Sequence, residues 1–445
     1  MKITFIRPNL WEERSADAMQ PLVFAMLAAI TPPEHQITFF DERVESIDFD
    51  HESDVVAITV ESYTARRAYE ISHRFRQRGI PVIMGGFHPT LLPNEARHFA
   101  DAVVVGDAEN LWHGILDDVE NDELKSEYSD EHEPDLSGII PDRRIFKEKN
   151  YTQLLPVSFG RGCRFACDFC SIYSFYNAKL IQRPIGDLLS EIDDLRSKYI
   201  FFIDDNLFIN DSVTKQFLNS IKPLKIKWVA QVSIDIAKDP ELLDLMAECG
   251  CITTLIGFES LNVENLVQMK KKWNLKYGDY QTAIRQINER GMMIYASFML
   301  GFDSDTKDAF KRTVDFALEN KFCIANFNPI TPMPGTNLYA RLKKEDRLVY
   351  DRWWLDPQFR YGDATIYPKN MTPDELTEGC YWARTEFNKY SSVFKRSLDK
   401  NANAGSLSNL AIFLISNLIS RKEIHKKQGR PLGTDHDLVF SGELL

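Results

Sequence analysis

Three cysteines lie close together near the middle of the 445-residue chain. Three residues separate Cys163 from Cys167, and two separate Cys167 from Cys170. Thiolates at this spacing can converge on one metal centre, either a zinc ion or an iron–sulfur cluster. A structural zinc site or an electron-carrying cluster needs four protein ligands, but the remaining cysteines are scattered along the chain. Three local thiolates on a four-iron cluster would leave one iron open for a small molecule.

The alternative is that these cysteines are buried apolar side chains that hold no ligand. Their crowding next to Gly160 and Gly162, at the end of a predicted strand, disfavours it. An iron–sulfur electron carrier and a zinc-stabilised binding module are further, less favoured alternatives. Iron analysis of the purified protein would reject the zinc module.

The pattern Cys163-x-x-x-Cys167-x-aromatic-Cys170 resembles the signature of the radical S-adenosylmethionine (radical SAM) superfamily. In that family the three cysteines hold a 4Fe-4S cluster, whose open iron chelates the amino and carboxylate groups of S-adenosylmethionine. One electron then cleaves the sulfonium to give a 5′-deoxyadenosyl radical, which abstracts hydrogen from an unactivated carbon. The resemblance also implies an external electron donor such as flavodoxin or ferredoxin.

Five later segments resemble the strand ends of the radical SAM barrel: 201–206, 228–235, 257–260, 298–303 and 331–336. The resemblance implies that the S-adenosylmethionine site includes Phe169, Asp204, Asp205, Asn206, Ser233, Glu259 and Gly301. Asp204-Asp205 replaces the Gly-Gly-Glu of many members, which leaves the contact to the methionyl amino group open. Taken singly, the two aspartates could cap a helix and Glu259 could be a solvated carboxylate.

The first 116 residues predict a doubly wound sheet, because short apolar runs alternate with helical periods. Ligands of such sheets bind beyond the carboxyl ends of the strands. Strands are predicted at 2–6, 36–40, 54–59, 81–84 and 101–105, and helices at 22–30, 65–77, 95–99 and after Glu109. Three loops follow strands and are candidate ligand loops: 59–62, 85–88 and 105–109.

An acidic run at 117–135 predicts a solvated linker that makes the first domain a separate folding unit. We assign 117–150 to this linker, 151–340 to a second domain and 341–445 to a mostly helical region. The second domain predicts a partial (β/α)6 barrel of the TIM type, with chemistry at the carboxyl ends of its strands. Its strands are expected near 155–159, 199–203, 225–232, 252–258, 292–300 and 323–330, and its helices at 186–196, 213–220, 240–248, 280–290 and 307–319.

A doubly wound domain joined to such a barrel resembles the cobalamin-binding class of radical SAM enzymes. The resemblance implies that cobalamin contacts Thr59, Glu61, Ser62, Gly85, Gly86, His88, Gly106 and Glu109. The Asp-x-His-x-x-Gly turn that supplies an axial histidine in cobalamin mutases is absent, so the cobalt is expected to lack a histidine ligand. His88 could bond a corrin amide or cap the next helix, and the sheet could be a relic that no longer binds the corrinoid.

The expected reaction is methyl transfer to an unactivated carbon of a small-molecule, lipid or tetrapyrrole substrate. In that scheme one S-adenosylmethionine is cleaved and a second methylates the cobalt. A non-methylating rearrangement, cyclisation or oxidation on the same scaffold is the alternative. No motif identifies the substrate.

Composition and charge limit the partners and the location that are expected for this protein. The net charge of -12 argues against sequence-independent binding of nucleic acid. No secretory leader or membrane-spanning run is evident, so a cytoplasmic location is expected. The apolar stretch 410–419 with the basic residues after it is either a helix resting on a membrane or a packed terminal helix with a solvated basic end.

Overall fold

The first domain is built on a sheet of six parallel strands in the order β2-β1-β3-β4-β5-β6. The computed structural model describes residues 1–195, 197–208, 211–277 and 280–435. All five predicted strands of this domain are present, since runs such as Val55–Thr59 are apolar enough to be covered on both faces. The strands are β1 (Lys2–Arg7), β2 (Gln36–Asp41), β3 (Val55–Thr59), β4 (Val82–Gly85), β5 (Ala102–Val105) and β6 (Glu127–Ser129).

Five helices flank this sheet, and the predicted helices at 22–30 and 65–77 have the predicted bounds. The predicted helix at 95–99 begins earlier, because Pro93 occupies its first turn, where a missing N–H costs nothing. The helices are α1 (Leu22–Ile30), α2 (Ala65–Gln77), α3 (Phe87–Leu91), α4 (Pro93–Phe99) and α5 (Trp112–Glu120).

The acidic run is not a plain linker, so the predicted boundary at 116 is wrong. Helix α5 continues to Glu120, and β6 pairs in parallel with β5 inside the run. Tyr128 anchors β6, because its ring is buried and its hydroxyl donates to Asp118 at 2.7 Å. Charge composition missed this strand because an edge strand can point acidic side chains to solvent while its backbone pairs on one side.

The second domain is a partial barrel whose six parallel strands follow the order β14-β13-β12-β11-β10-β7. Along β13, Ala296 and Phe298 are buried, whereas Ser297 and Met299 line a cavity. The strands are β7 (Leu155–Val157), β10 (Tyr199–Phe202), β11 (Lys227–Val232), β12 (Cys251–Glu259), β13 (Met293–Leu300) and β14 (Ile324–Pro329), with a small antiparallel pair β8 (Gly160–Arg161) and β9 (Ile181–Gln182).

All six predicted barrel strands and five barrel helices are present with small shifts at their ends. Arg196, the last residue of one predicted helix, lies outside the described residues. The helices of this domain are α6 (Ser171–Tyr176), α7 (Ile185–Asp194), α8 (Asp211–Ile221), α9 (Pro240–Glu248), α10 (Val263–Gln268), α11 (Tyr280–Asn288) and α12 (Asp308–Glu319).

The carboxyl-terminal region packs on both domains and is mostly helical, as predicted. Helix α14 packs against β14 and α12. The segment before it inserts Trp353 and Trp354 into the core of the first domain, where both are buried. The helices are α13 (Asn337–Lys344), α14 (Pro373–Phe387), α15 (Tyr390–Ser397) and α16 (Leu407–Lys427). No helix within the described ranges is long and apolar enough to cross a bilayer.

Candidate active site between the two domains

The cysteine loop begins where β8 crosses close to the chain leading into β9. Gly162 has φ of +88°, and a Cβ at this position would collide with the carbonyl oxygen of Lys179. Only glycine fits this crossing, because other residues would need both a strained backbone and space that is absent. A Cβ on Gly160 would likewise come too close to a backbone carbonyl oxygen, that of Ile181 at 2.9 Å. The two glycines therefore fix the position at which the loop leaves the barrel.

Backbone N–H groups surround two of the three thiols of this loop. Phe165 donates to the Cys163 sulfur, and Ile172 and Tyr173, in the first turn of α6, donate to the Cys170 sulfur. Burial raises the pKa of all three thiols, and that of Cys167 to about 12. Such N–H donors and a helix N-terminus favour thiolate over thiol once a cation is present.

The donor set fits an iron–sulfur cluster better than a single ion. Within the described ranges, no group of three or more His, Cys, Asp or Glu side chains converges on one metal position. A cluster spreads its cysteines over separate irons and does not require that convergence. The Nδ2 of Asn206 lies 3.9 Å from the Cys163 sulfur, while its buried Oδ1 has no hydrogen-bond partner among the residues that the structure describes. That unpaired oxygen leaves an acceptor for a bound group.

Asp204 and Asp205 hold the backbone that carries the cysteine loop. Asp204 accepts hydrogen bonds from the N–H groups of Phe159, at 3.0 Å, and Gly160. Asp205 accepts from Gly162 N–H at 2.8 Å. Burial raises the pKa of Asp204 to about 7 and that of Asp205 to about 6. Asp204 thus acts through the loop, whereas Asp205 also lines a cavity.

Glu259 forms a buried ion pair that the sequence did not indicate. It ends β12 at φ of +61°, where the register with β13 shifts, and its carboxylate lies 2.7 Å from the Lys271 ammonium. Burial lowers the pKa of Lys271, but Glu259 and Cys167 raise it more, and the net direction is upward. The one sequence feature that could have indicated a role for Lys271 is its position in a run of three lysines.

The other predicted S-adenosylmethionine residues divide between the loop and the barrel wall. Ser233 donates to Asp235 and accepts from Asn206 at 3.2 Å. Phe169 is half-buried against the barrel core. Gly301 is buried and packs closely against α14, because a Cβ there would collide with Leu376.

A first cavity of about 420 Å³ lies between the sheet of the first domain and the barrel. The ends of β1, β3, β4 and β5 line one side, and Arg161, Asp205 and the chain after β7 line the other. Six of the eight predicted cobalamin residues line it: Thr59, Glu61, Gly85, Gly86, Gly106 and Glu109. The loops predicted from the sequence therefore lie at this cavity.

Ser62 and His88 do not line this cavity. His88 is fully buried, with Nδ1 3.2 Å from the Ser62 hydroxyl and Nε2 3.0 Å from the Glu95 carboxylate. Both ring nitrogens are thus engaged inside the first domain. The ring connects α3 to Ser62, just before α2, and to Glu95 of α4. Neither ring nitrogen is therefore available for the predicted contact with a corrin amide.

Arg161 joins the two domains across the first cavity, and the sequence did not single it out. Its guanidinium donates to Asp107 at 2.6 Å and to Glu109 at 2.5 Å. Burial opposes its charge, but the two carboxylates hold the pKa of Arg161 above its ordinary value. These ion pairs connect the two domains, whereas the sequence predicted separate folding units. The sequence does contain the charges that form these pairs: two acidic residues in the loop after β5 and an arginine next to the cysteine loop.

A second cavity of about 530 Å³ adjoins the first and shares Arg7, Arg43 and Glu61 with it. The Nη2 of Arg7 donates to Glu61 at 2.8 Å, so this ion pair stands between the two cavities. Inward residues of β13 and β14, the segment 8–18 and the end of α16 complete the wall. Glu423 of α16 is buried there, with one carboxylate oxygen 3.1 Å from the Lys427 ammonium.

Comparison with known proteins agrees with this architecture. Residues 157–317 match the Radical SAM superfamily. Bacteriochlorophyllide d C-12(1)-methyltransferase of Chlorobaculum tepidum is 30% identical over 402 residues, 87% of this chain and 87% of that protein. The C-8(2)-methyltransferase of the same organism is 31% identical over 351 residues, 75% and 78% of the two chains. A solved structure of the cobalamin-dependent S-adenosylmethionine radical enzyme OxsB, with aqua-cobalamin and S-adenosylmethionine bound, superposes with a TM-score of 0.67 at 14% identity, over 96% of this chain and 72% of that one.

The cysteine loop, the partial barrel and the doubly wound domain define a radical SAM enzyme. Within that superfamily the chain belongs to the cobalamin-dependent radical SAM methyltransferase family. The family uses a 4Fe-4S cluster, S-adenosylmethionine and cobalamin, and acts on small molecules. The expectations for fold class, family and cofactors are confirmed.

Proposed function

We propose that this protein transfers a methyl group to an unactivated carbon of a tetrapyrrole. One observation carries the proposal: the predicted corrin loops and the base of the cysteine loop line the same cavity. Gly85, Gly86 and Gly106 come from the sheet, whereas Arg161 and Asp205 come from the barrel. A methyl transfer that needs both cofactors requires this proximity, because the reacting groups have to meet at short range.

The residues have distinct tasks in this proposal. Cys163, Cys167 and Cys170 would hold the cluster, which when bound would supply the electron that cleaves one S-adenosylmethionine, and bound cobalamin would carry a methyl group taken from a second. Asn206, with its unpaired Oδ1, and the Glu259–Lys271 pair lie beside the cysteines and would orient S-adenosylmethionine. Lys271 adds a positive charge that offsets the thiolates.

Cobalamin is held in this proposal by backbone groups and small residues. Gly85 and Gly86 permit close approach of a large planar ligand at the end of β4, where doubly wound sheets bind ligands. The lining of the first cavity includes no histidine among the described residues. We therefore expect a cobalt without an imidazole ligand.

A tetrapyrrole is the proposed substrate class because of the relatives. The two bacteriochlorophyllide d methyltransferases align with three quarters or more of this chain. The second cavity supplies a mixed polar and apolar wall next to the first, of the size typical for small-molecule sites. An external electron donor such as flavodoxin or ferredoxin completes the proposal.

The test is anaerobic reconstitution with iron, sulfide and hydroxocobalamin, followed by reaction with S-adenosylmethionine, reduced flavodoxin as the electron donor, and bacteriochlorophyllide d. We expect S-adenosylhomocysteine and 5′-deoxyadenosine together, with a product heavier by one CH₂ unit. 5′-Deoxyadenosine without S-adenosylhomocysteine would favour the non-methylating alternative. Cleavage of S-adenosylmethionine with an unchanged pigment would contradict the substrate class alone. Cys163→Ala is the control that should yield neither product.

A further inference from the structure

Helix α16 exposes four large apolar side chains to solvent and buries three polar ones against the protein. The residues it buries are Asn409, Phe413, Asn417 and Glu423. Leu407, Leu414, Ile415 and Leu418 are instead 88%, 40%, 59% and 56% exposed. A surface helix of a globular protein normally has the opposite arrangement. The outer face of α16 is therefore apolar enough to need a partner.

Hydrogen bonds prevent α16 from turning this face inward. Asn409 Nδ2 donates to the carbonyl oxygens of Gly291, at 3.1 Å, and Ala402, at 3.0 Å. Asn417 Nδ2 donates to the Cys323 carbonyl at 3.0 Å, and its Oδ1 accepts from Arg396 at 2.9 Å. A rotated helix would leave these groups buried without partners, which costs the desolvation free energy of each group.

Helix α15 adds a second apolar stripe. Tyr390, Phe394 and Leu398 recur at four-residue spacing and are all more than half exposed. The Arg421 guanidinium of α16 lies 4.2 Å from the centroid of the Tyr390 ring, which joins the two helices. We call these three residues, with Leu407, Leu414, Ile415 and Leu418, the tail apolar face.

The charge around the tail apolar face has the opposite sign to the rest of the chain. Residues 388–430 contain nine Lys and Arg against two Asp and Glu. Of these cations, Arg396 is buried, and Lys389, Lys426, Lys427 and Arg430 form ion pairs with acidic side chains. Lys395, Lys400 and Lys422 are exposed. Apolar side chains flanked by such cations match the headgroup region of an anionic bilayer. A second copy of this face is a poorer partner, because a two-fold contact would bring the exposed lysines of the two copies together.

We propose that the tail apolar face docks this protein on the surface of a membrane that contains anionic lipids. The apolar side chains enter the boundary between headgroups and acyl chains, and the lysines contact lipid phosphates. The contact is peripheral, since no helix of the described ranges could cross the bilayer. It does not depend on the proposed reaction.

The test is flotation of the purified full-length protein with vesicles of phosphatidylglycerol and phosphatidylcholine, compared with phosphatidylcholine alone. We expect binding to the anionic vesicles that falls as the ionic strength rises from about 0.05 M to 0.5 M. Leu414→Gln with Leu418→Gln should weaken partitioning by about tenfold or more. Lys395→Glu with Lys422→Glu should abolish the preference for anionic lipid.

The matched control is Val263→Gln with Val267→Gln, which replaces two exposed valines of α10 and should leave partitioning unchanged. A thermal midpoint equal to that of the parent protein shows that a variant is folded. Equal flotation with neutral vesicles, no flotation, or a loss equal in the control would overturn the proposal. A concentration-dependent dimer in sedimentation that the leucine substitutions dissociate would overturn it in favour of a second copy.

Discussion

At the scale of single residues, the Lys271 ammonium supplies a positive charge beside three buried thiols. Burial raises the pKa of Cys167 more than that of its neighbours, and Lys271 is the largest opposing influence. Phe165 of the cysteine loop stacks on Trp273, two residues after Lys271, with ring centroids 3.6 Å apart. The loop and the segment carrying this cation are therefore held together before any cluster binds.

The cysteines give the first prediction. Cys163→Ala should abolish bound iron and cleavage of S-adenosylmethionine, because two thiolates cannot hold the cluster. Cys249→Ala and Cys380→Ala should keep the iron content, since both side chains are buried in the barrel packing away from the loop. Iron and sulfide analysis after anaerobic reconstitution measures this. Loss of the cluster in either remote variant would contradict the three-ligand assignment.

Glu259 gives the second prediction. Glu259→Ala should weaken S-adenosylmethionine binding by about 1–3 kcal/mol, because a charge-assisted contact is lost, while the cluster remains. Glu264→Ala, an exposed glutamate of the following helix α10, is the matched control. Calorimetric titration of the reconstituted protein provides the measurement. If Glu259→Ala lowers thermal stability but leaves the affinity unchanged, the carboxylate serves only to neutralise Lys271.

At the scale of elements, apolar runs predicted both sheets because parallel strands covered on two faces are continuously apolar. The loops that line the first cavity were predictable for the same reason, since the ends of parallel strands share one edge. Side-chain pairings across the two domains were not predictable. Arg161 finds Asp107 and Glu109 only after the tertiary packing forms. The sequence pattern did not predict β6, because its pairing with β5 depends on backbone hydrogen bonds rather than on side-chain composition.

The loop after β4 gives the third prediction. Gly86 has φ of +103°, and a Cβ there would lie 3.0 Å from the Thr59 hydroxyl and from the Val60 carbonyl oxygen. Gly86→Val should block cobalamin uptake while iron content is kept, because the side chain distorts the cavity wall. Gly114→Ala, on α5 with no atom near the added Cβ, is the control. Cobalamin absorbance after gel filtration measures uptake, and normal uptake by Gly86→Val would remove this loop from the site.

The network around His88 gives the fourth prediction. Burial alone would raise the pKa of Glu95, but bonds from His88, Trp354 and Tyr69 outweigh it and hold the pKa below 4.5. A carboxyl with a lowered folded-state pKa contributes stability above its unfolded value, and this is lost as the pH falls through the folded value. The thermal midpoint should therefore fall as the pH drops below about 4.5, and Glu95→Gln should reduce this pH dependence. An unchanged pH profile in Glu95→Gln would contradict this role.

At the scale of the whole molecule, the chain after the barrel returns to the first domain and closes the structure. Trp353 donates to the Pro332 carbonyl at 3.0 Å, and Trp354 donates to Glu95 at 2.9 Å. The ion pairs of Arg161 form a second connection between the domains. The first cavity therefore lies between two domains that are joined at two places. Such contacts maintain the distance between the two cofactor loops.

This double attachment gives the last prediction. Unfolding should be a single calorimetric transition, because neither domain can open without exposing the buried tryptophans or the Arg161 pairs. Trp354→Phe removes the indole N–H and leaves Glu95 with one donor fewer, which should cost about 1–3 kcal/mol. Trp382→Phe, at a tryptophan that is 40% exposed on α14, should cost less than about 0.5 kcal/mol. Two separate transitions in the parent protein would show that the domains unfold independently, and the cavity between them would then lack the rigid walls that close positioning of two cofactors requires.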